Sequence, residues 1–333
     1  MTRLRQIVLG SLAALAVGGA ASSALAEESG TFQNRLNGAT IGLPLGALPP
    51  PGIYTGLETA YLGMVGGPGG HGNQGQGLYF PAVANAVPIL FVPGWNFLGA
   101  SYAFSVVQAG YMNGLFTNPG NLNTSPTSIP AGGAVGGTQF NETMANTTWN
   151  PIVLSWNLGT GWFISAGFNF MGPDGSRYAG TPNPDYWTLE PTLAVSYLAN
   201  NWVASANFFY DINERSAGVC CAAAPITSGN TLYGDFTVLY KFGKWEVGPV
   251  AYFETQTTAD SGCVVANAAA CVGSAYTLDF GALVGYDFGP VDIQVWFTQS
   301  VSARNFIDSN IIWSRIGFKL WGFDAPKPLV AKN

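Results

Sequence analysis

The side chains able to do chemistry in this 333-residue chain are few and scattered. His71 is the only histidine, and it sits in the glycine run "GGPGGHGNQGQG" over 66–77. That run lacks the Gly-Lys-Ser/Thr ending of a phosphate loop and has no ligand-type neighbours for a metal, so it reads as a flexible loop. A hydrolase needs a serine or aspartate with a histidine base, and no Gly-x-Ser-x-Gly elbow is present. The four cysteines, Cys220, Cys221, Cys263 and Cys271, show no Cys-x-x-Cys or Cys/His zinc spacing. Catalysis is therefore not expected, nor is a cofactor or metal. What remains is a set of charges and aromatics at alternate positions, which suits a lined passage better than a reaction centre.

The elements that would position them are strands. In "DYWTLEPTLAVSYL" (185–198), Trp187, Leu189, Pro191, Leu193, Val195 and Tyr197 alternate with Thr188, Glu190, Thr192, Ala194 and Ser196. Successive side chains of a strand point to opposite faces, so this segment has one greasy face and one polar face. In a soluble sandwich the greasy face would meet a core. In a membrane barrel it would meet lipid, and Glu190 would point into a lumen.

Compartment and composition choose between the two. Arg3 and Arg5, an Ala/Leu/Val stretch and "SALA" before Glu27 follow the order of a secretory signal peptide, with cleavage expected after Ala26. No later segment has the ~18 consecutive apolar residues that a membrane helix needs. Charged residues make up 9% of the chain, against about 25% in an average globular protein, so much of the outer surface is expected to face something other than water. The formal charge of −6 argues against a nucleic-acid partner. The expected partners are outer-membrane lipid and a small solute; oligomeric state is open, with a monomer as default.

Period-2 runs bounded by Gly, Pro, Asn and Asp predict about twelve strands. They span 52–65, 83–92, 100–111, 147–158, 161–172, 186–198, 201–213, 231–242, 244–257, 275–288, 290–302 and 309–321. Most are long enough to cross a bilayer at a tilt, and short turns alternate with long polar loops. The fold class expected is therefore all-β: an antiparallel up-and-down transmembrane barrel of about twelve strands in the bacterial outer membrane. Glu58, Glu190, Asp211, Asp235, Lys241, Glu246, Glu254, Asp279, Asp287, Asp292, Arg315 and Lys319 all share the face opposite the greasy one. Trp162, Trp202 and Trp245 open strands at the short-turn end, where an aromatic belt is expected.

The candidate solute path is this inward face: Glu190, Phe209, Tyr233, Tyr252, Trp296, Trp313, Arg315 and Lys319, with Leu283 beside them. Pro88, Pro191 and Pro249 each delete a ladder donor in mid-strand. They are candidates for a lateral opening, or are absorbed as local bulges. Residues 1–26 are the leader, and 27–51 are a proline-stiffened segment that is either a lumenal plug or a periplasmic lead-in. Residues 52–321 form the barrel, and 322–333 form a periplasmic tail. The cysteines lie in two long loops. A Cys263–Cys271 bridge is favoured, leaving Cys220 and Cys221 as a vicinal bridge or as partners for other thiols.

The stretches "NGATIGLPLGALPPPGIYTGLETAYLG", "DYWTLEPTLAVSYL", "LDFGALVGYDFG" and "SARNFIDSNIIWSRIGFKLW" resemble the outer-membrane proteins named for the MetA-pathway of phenol degradation. The likeness spans essentially the whole chain after the leader. It implies a closed barrel and uptake of small hydrophobic or aromatic compounds, and it carries over no binding residues. The alternatives are a nonspecific aqueous porin and a structural or surface-interaction barrel whose stapled loops act outside. One departure is "GFDAPKPLVAKN", which continues past Trp321 instead of ending the chain on a strand aromatic.

Overall fold

A computed structural model describes residues 34–66, 78–117, 139–176, 183–215, 227–261, 274–304, 306 and 308–322. The expected leader, the four cysteines, His71 and the tail beyond Gly322 lie outside these residues.

Fourteen strands run through the described residues. The first are β1 (Gly52–Gly66), β2 (Leu78–Val92), β3 (Asn96–Phe97), β4 (Ala100–Thr117) and β5 (Gln139–Met144). Then come β6 (Thr148–Gly159), β7 (Trp162–Met171), β8 (Thr188–Ala199), β9 (Trp202–Asn213) and β10 (Thr231–Phe242). The last four are β11 (Trp245–Gln256), β12 (Tyr276–Asp287), β13 (Val291–Arg304) and β14 (Asp308–Gly322). Twelve of them form one antiparallel ring: β1 pairs with both β2 and β14, and β2 pairs onward with β4. Closure leaves no open edge, which lipid would not tolerate.

β3 and β5 are not barrel strands, and both fall where the sequence reads as connection. β3 pairs with the start of β4 around a tight turn, with Leu98 and Gly99 at φ 54° and 78°. β5 pairs with the far half of β4, from Gly110↔Met144 to Leu115↔Gln139, so the expected loop 112–146 carries a ladder beyond the ring. Gly110, Asn113 and Gly114 interrupt the alternation there and hide the strand from a period-2 reading. β2 likewise starts at Leu78, ahead of the expected 83.

Alternation sorts the wall cleanly. On β13, Gln294, Trp296, Thr298 and Ser300 are buried, while Val295, Phe297 and Val301 are exposed to the surroundings. An outer belt of aromatic pairs crosses strands at the short-turn end. Trp162–Tyr197, Trp202–Tyr240 and Trp245–Tyr286 have ring centroids 5.0, 5.0 and 4.7 Å apart. Such rings suit a boundary with one apolar and one wet neighbour. Asn200 and Asn201, at φ 53° and 65°, make the two-residue turn between β8 and β9 that matches strand twist.

The three strand prolines do not shift the register of the wall. Pairing of β1 with β2 skips from Thr55↔Ile89 to Glu58↔Ala86, opposite Pro88, and resumes in the same register. The β8–β9 ladder skips in the same way beside Pro191, and the β10–β11 ladder beside Pro249. The expected bulges are thus missing at all three. Each skipped ladder lacks a donor on one side only, and the neighbouring pairs hold the register.

Candidate functional site

The interior of the ring holds a stretch of the chain itself. Residues 34–51 follow a string of turns: the amides of Ala39, Ile41 and Leu43 donate to the carbonyls of Leu36, Gly38 and Thr40. Gly38 and Gly42 adopt φ 78° and 81°, and a Cβ at Gly42 would stand 2.6 Å from Gln294 Oε1. Both the conformation and the close approach therefore require glycine. A chain without regular structure inside an enclosed space must find its peptide partners on the wall. Gly42 N donates to Thr237 Oγ1 at 2.9 Å and Gly46 N to Ser196 Oγ at 3.0 Å. Ser155 and Ser165 donate to the carbonyls of Gly46 and Leu45, and Asn207 donates to those of Thr40 and Leu43.

The wall around this segment has two chemically distinct halves. One is acidic, with side chains aligned across neighbouring strands. Asn207, Asp235, Tyr252, Asp279 and Ser300 stand side by side on β9 to β13. Phe209, Tyr233, Glu254 and Thr277 form the adjacent row. Glu190, Asp211, Asp235, Glu254 and Asp279 are all almost fully buried. Their donors come largely from the segment. Arg35 Nη1 reaches Glu190 at 3.3 Å, and its guanidinium lies 3.2 Å from the Phe209 ring centroid. Asn37 donates to Glu254, and Asn169 on β7 donates to Glu190. Asp235 accepts from the Gly38 and Thr40 amides and from Thr40 Oγ1 at 2.6 Å.

The other half is apolar. Leu283, Trp296, Trp313, Ala60 and Ala84 pair in turn across β12, β13, β14, β1 and β2 and form a continuous inward band. Trp296 and Trp313 stack with centroids 5.3 Å apart and planes within 8°. Both indole Nε1 groups are buried without an acceptor. Ile41 of the segment belongs to the same cluster. Arg315 bounds the band on one side: its Nε donates to Glu58 at 2.6 Å, and its other nitrogens reach Gln294 and the carbonyls of Ile41 and Ala39.

Seven of the eight path residues named from sequence, Glu190, Phe209, Tyr233, Tyr252, Trp296, Trp313 and Arg315, are buried in this interior. Lys319 is not among them. It is exposed at the short-turn mouth, with Nζ 5.5 Å over the Tyr54 ring. Lys241, at the same end, is half exposed and pairs with Glu246 at 3.5 Å. Of the three prolines, Pro88 is half-buried and Pro191 and Pro249 are exposed on the outer face. Sequence reading missed Arg35, Asn37, Asn207, Thr237 and Gln294 as lumenal partners. Arg35 had a signal, since it is the one basic residue in 27–51. Among the described residues, no group of three or more His, Cys, Asp or Glu is arranged to hold a metal ion.

A closed, twelve-stranded antiparallel ring with a lipid-type exterior, aromatic belts and an interior part polar and part apolar defines an outer-membrane β-barrel. The chain belongs to the family described as "Putative MetA-pathway of phenol degradation", which matches residues 65–316. Among solved structures it is similar to an outer membrane channel from Pseudomonas putida F1, with a TM-score of 0.62 and 10% identity over 82% of this chain and 96% of that one. It is more distantly similar to the translocator domain of the autotransporter NalP from Neisseria meningitidis. There the TM-score is 0.44 and the identity 11%, over 81% of this chain and 88% of that one. The Ralstonia pickettii toluene transporter TbuX gives a TM-score of 0.38 and 11% identity, over 85% and 92%. At such identities the likeness concerns the fold. No curated protein matches the chain.

Proposed function

We propose that this barrel is a channel that carries small hydrophobic or aromatic compounds across the outer membrane, and that it performs no catalysis. The observation that carries the reading is the inward apolar band of Leu283, Trp296, Trp313, Ala60 and Ala84. A nonspecific aqueous pore has no use for two stacked tryptophans on its inner wall. Apolar walls with a few placed polar groups are the usual make-up of sites for small organic molecules, and the two unpartnered indole N–H groups supply such points. In this reading residues 27–51 act as a plug. The wall contacts of residues 34–46 support it, because they tie the segment to inward side chains of β6, β8, β9 and β10.

The test is flux into liposomes carrying the purified barrel. A small neutral aromatic should enter faster than a sugar of similar size, and single-channel ion conductance should be low. Large conductance with no preference for the aromatic would make the protein a general porin. Flux of neither solute, with outer loops that bind a partner, would make it a surface-interaction barrel.

A further inference from the structure

Four buried carboxyl groups line the wall beside the N-terminal segment on four successive strands: Glu190 on β8, Asp211 on β9, Asp235 on β10 and Glu254 on β11. The cation facing them, Arg35, is not part of the wall. It belongs to the segment, and it sits between the Phe209 ring on one side and Glu190 and Asp235 on the other, at 3.3 and 4.0 Å. The seat is larger than its occupant satisfies. Asp211 Oδ1 is buried with no hydrogen-bond partner, and the carboxyl stands within hydrogen-bonding reach of Glu190. Arg35 Nε and Nη2 have no hydrogen-bond acceptor.

An aromatic face beneath a planar cation, with carboxyl groups at its rim, is the chemistry that recognises organic cations. Among the described residues the acids do not converge in a metal-holding group, which sets an inorganic ion apart from a flat, delocalised one. Buried carboxylates left without a counter-charge cost several kcal/mol, so the seat favours a cation whenever the segment leaves it. We infer that Glu190, Asp211, Asp235, Glu254 and Phe209 form a binding site for a small organic cation of the amidinium, guanidinium or arylammonium class. Arg35 is the chain's own occupant of that site. A solute of this class competes with Arg35 and thereby loosens the segment, because the amides of Gly38 and Thr40 are tied to the same Asp235. The inference is independent of neutral aromatic passage, which depends on the apolar band of β12, β13, β14, β1 and β2.

The probe is benzamidine, with benzyl alcohol as its uncharged counterpart, titrated into the full chain in detergent micelles. The mobility difference between unheated and boiled samples on a gel checks that each variant is folded. Removing a tethered competitor raises apparent affinity by the fraction of sites it held, so Arg35→Ala should bind benzamidine at least about tenfold more tightly than the unsubstituted chain. Arg35→Lys should stay near the parent, and adding Glu190→Gln to Arg35→Ala should cancel the gain. Arg35→Gln replaces Arg35→Ala if the latter does not fold. In the unsubstituted chain, saturating benzamidine should speed hydrogen exchange at the Gly38 and Thr40 amides. No gain on removing Arg35, a gain that survives Glu190→Gln, or an equal gain for benzyl alcohol would overturn the site. Unchanged amide protection at saturating probe would overturn the competition.

Discussion

Arg315 shows how a single lumenal side chain divides its work between wall and segment. Four hydrogen bonds tie it to Glu58, Gln294 and the carbonyls of Ile41 and Ala39, and it also lies 4.7 Å over the Trp296 ring. Glu58 is itself buried, so removing the guanidinium strands a carboxylate as well as freeing two carbonyls. Breaking one side of a buried pair costs about 3–5 kcal/mol. Arg315→Met should lower stability by that order in urea titrations of the bilayer-inserted barrel, while Glu58→Gln with Arg315→Met should recover part of it. The other residue-scale test concerns Trp296, whose ring meets Trp313 within the apolar band. Trp296→Asp should slow uptake of a neutral aromatic without lowering the amount of heat-resistant barrel. Trp296→Phe keeps an apolar ring there and should preserve most of the flux.

At the scale of the strand, position on the inner or outer face decides what a substitution costs. Ile316 faces outward at the middle of β14, opposite Leu57 on β1 and Ile293 on β13. Ile316→Arg should destabilise the inserted barrel by about 2–4 kcal/mol, the cost of a basic side chain near the bilayer midplane. Lys241 stands near the short-turn mouth, and its side chain is 53% exposed in its pair with Glu246. Lys241→Ala should change stability by no more than about 1 kcal/mol, as expected for an ion pair open to water. Equal effects of the two substitutions in the same urea titration would contradict the assignment of faces. Pro191 and Pro249 leave skipped ladder positions without a change of register, so a lateral opening at either seam is a proposal about motion. It requires faster hydrogen exchange of the amides flanking those seams than along β13–β14.

The ring as a whole behaves as one closed unit because every barrel strand has two neighbours. Unheated protein should therefore run faster than boiled protein on a detergent gel, and identical mobility would count against closure. The segment is the separable part: it is held to the wall by side chains and turn amides, without a ladder of its own. Deleting residues 27–51 while keeping 1–26 should raise single-channel conductance sharply and leave the gel shift intact. Unchanged conductance in the deleted protein would mean that the segment is not what limits ion passage.

Local patterning along the chain is enough to specify the ring. Strand spacing, the alternation around Glu190 and the aromatic strand ends are local signals with a period of two, so they can be read without knowing the partners. The same signal sorted Trp296, Tyr252 and Arg315 to the inner face, because parity along a strand fixes the face. It did not tell how far inside a residue lies: Lys319 has the inner parity and still stands exposed at the mouth, since depth depends on where the strand meets the barrel's end. Tertiary structure alone decided which side chains meet across the lumen. Arg35 reaches Glu190 over 155 positions of sequence, and Arg315 reaches Ile41 over 274. No local period encodes such pairs. The division of the interior into an acidic half and an apolar half is likewise a property of strand order and register, which exist only once the sheet has closed.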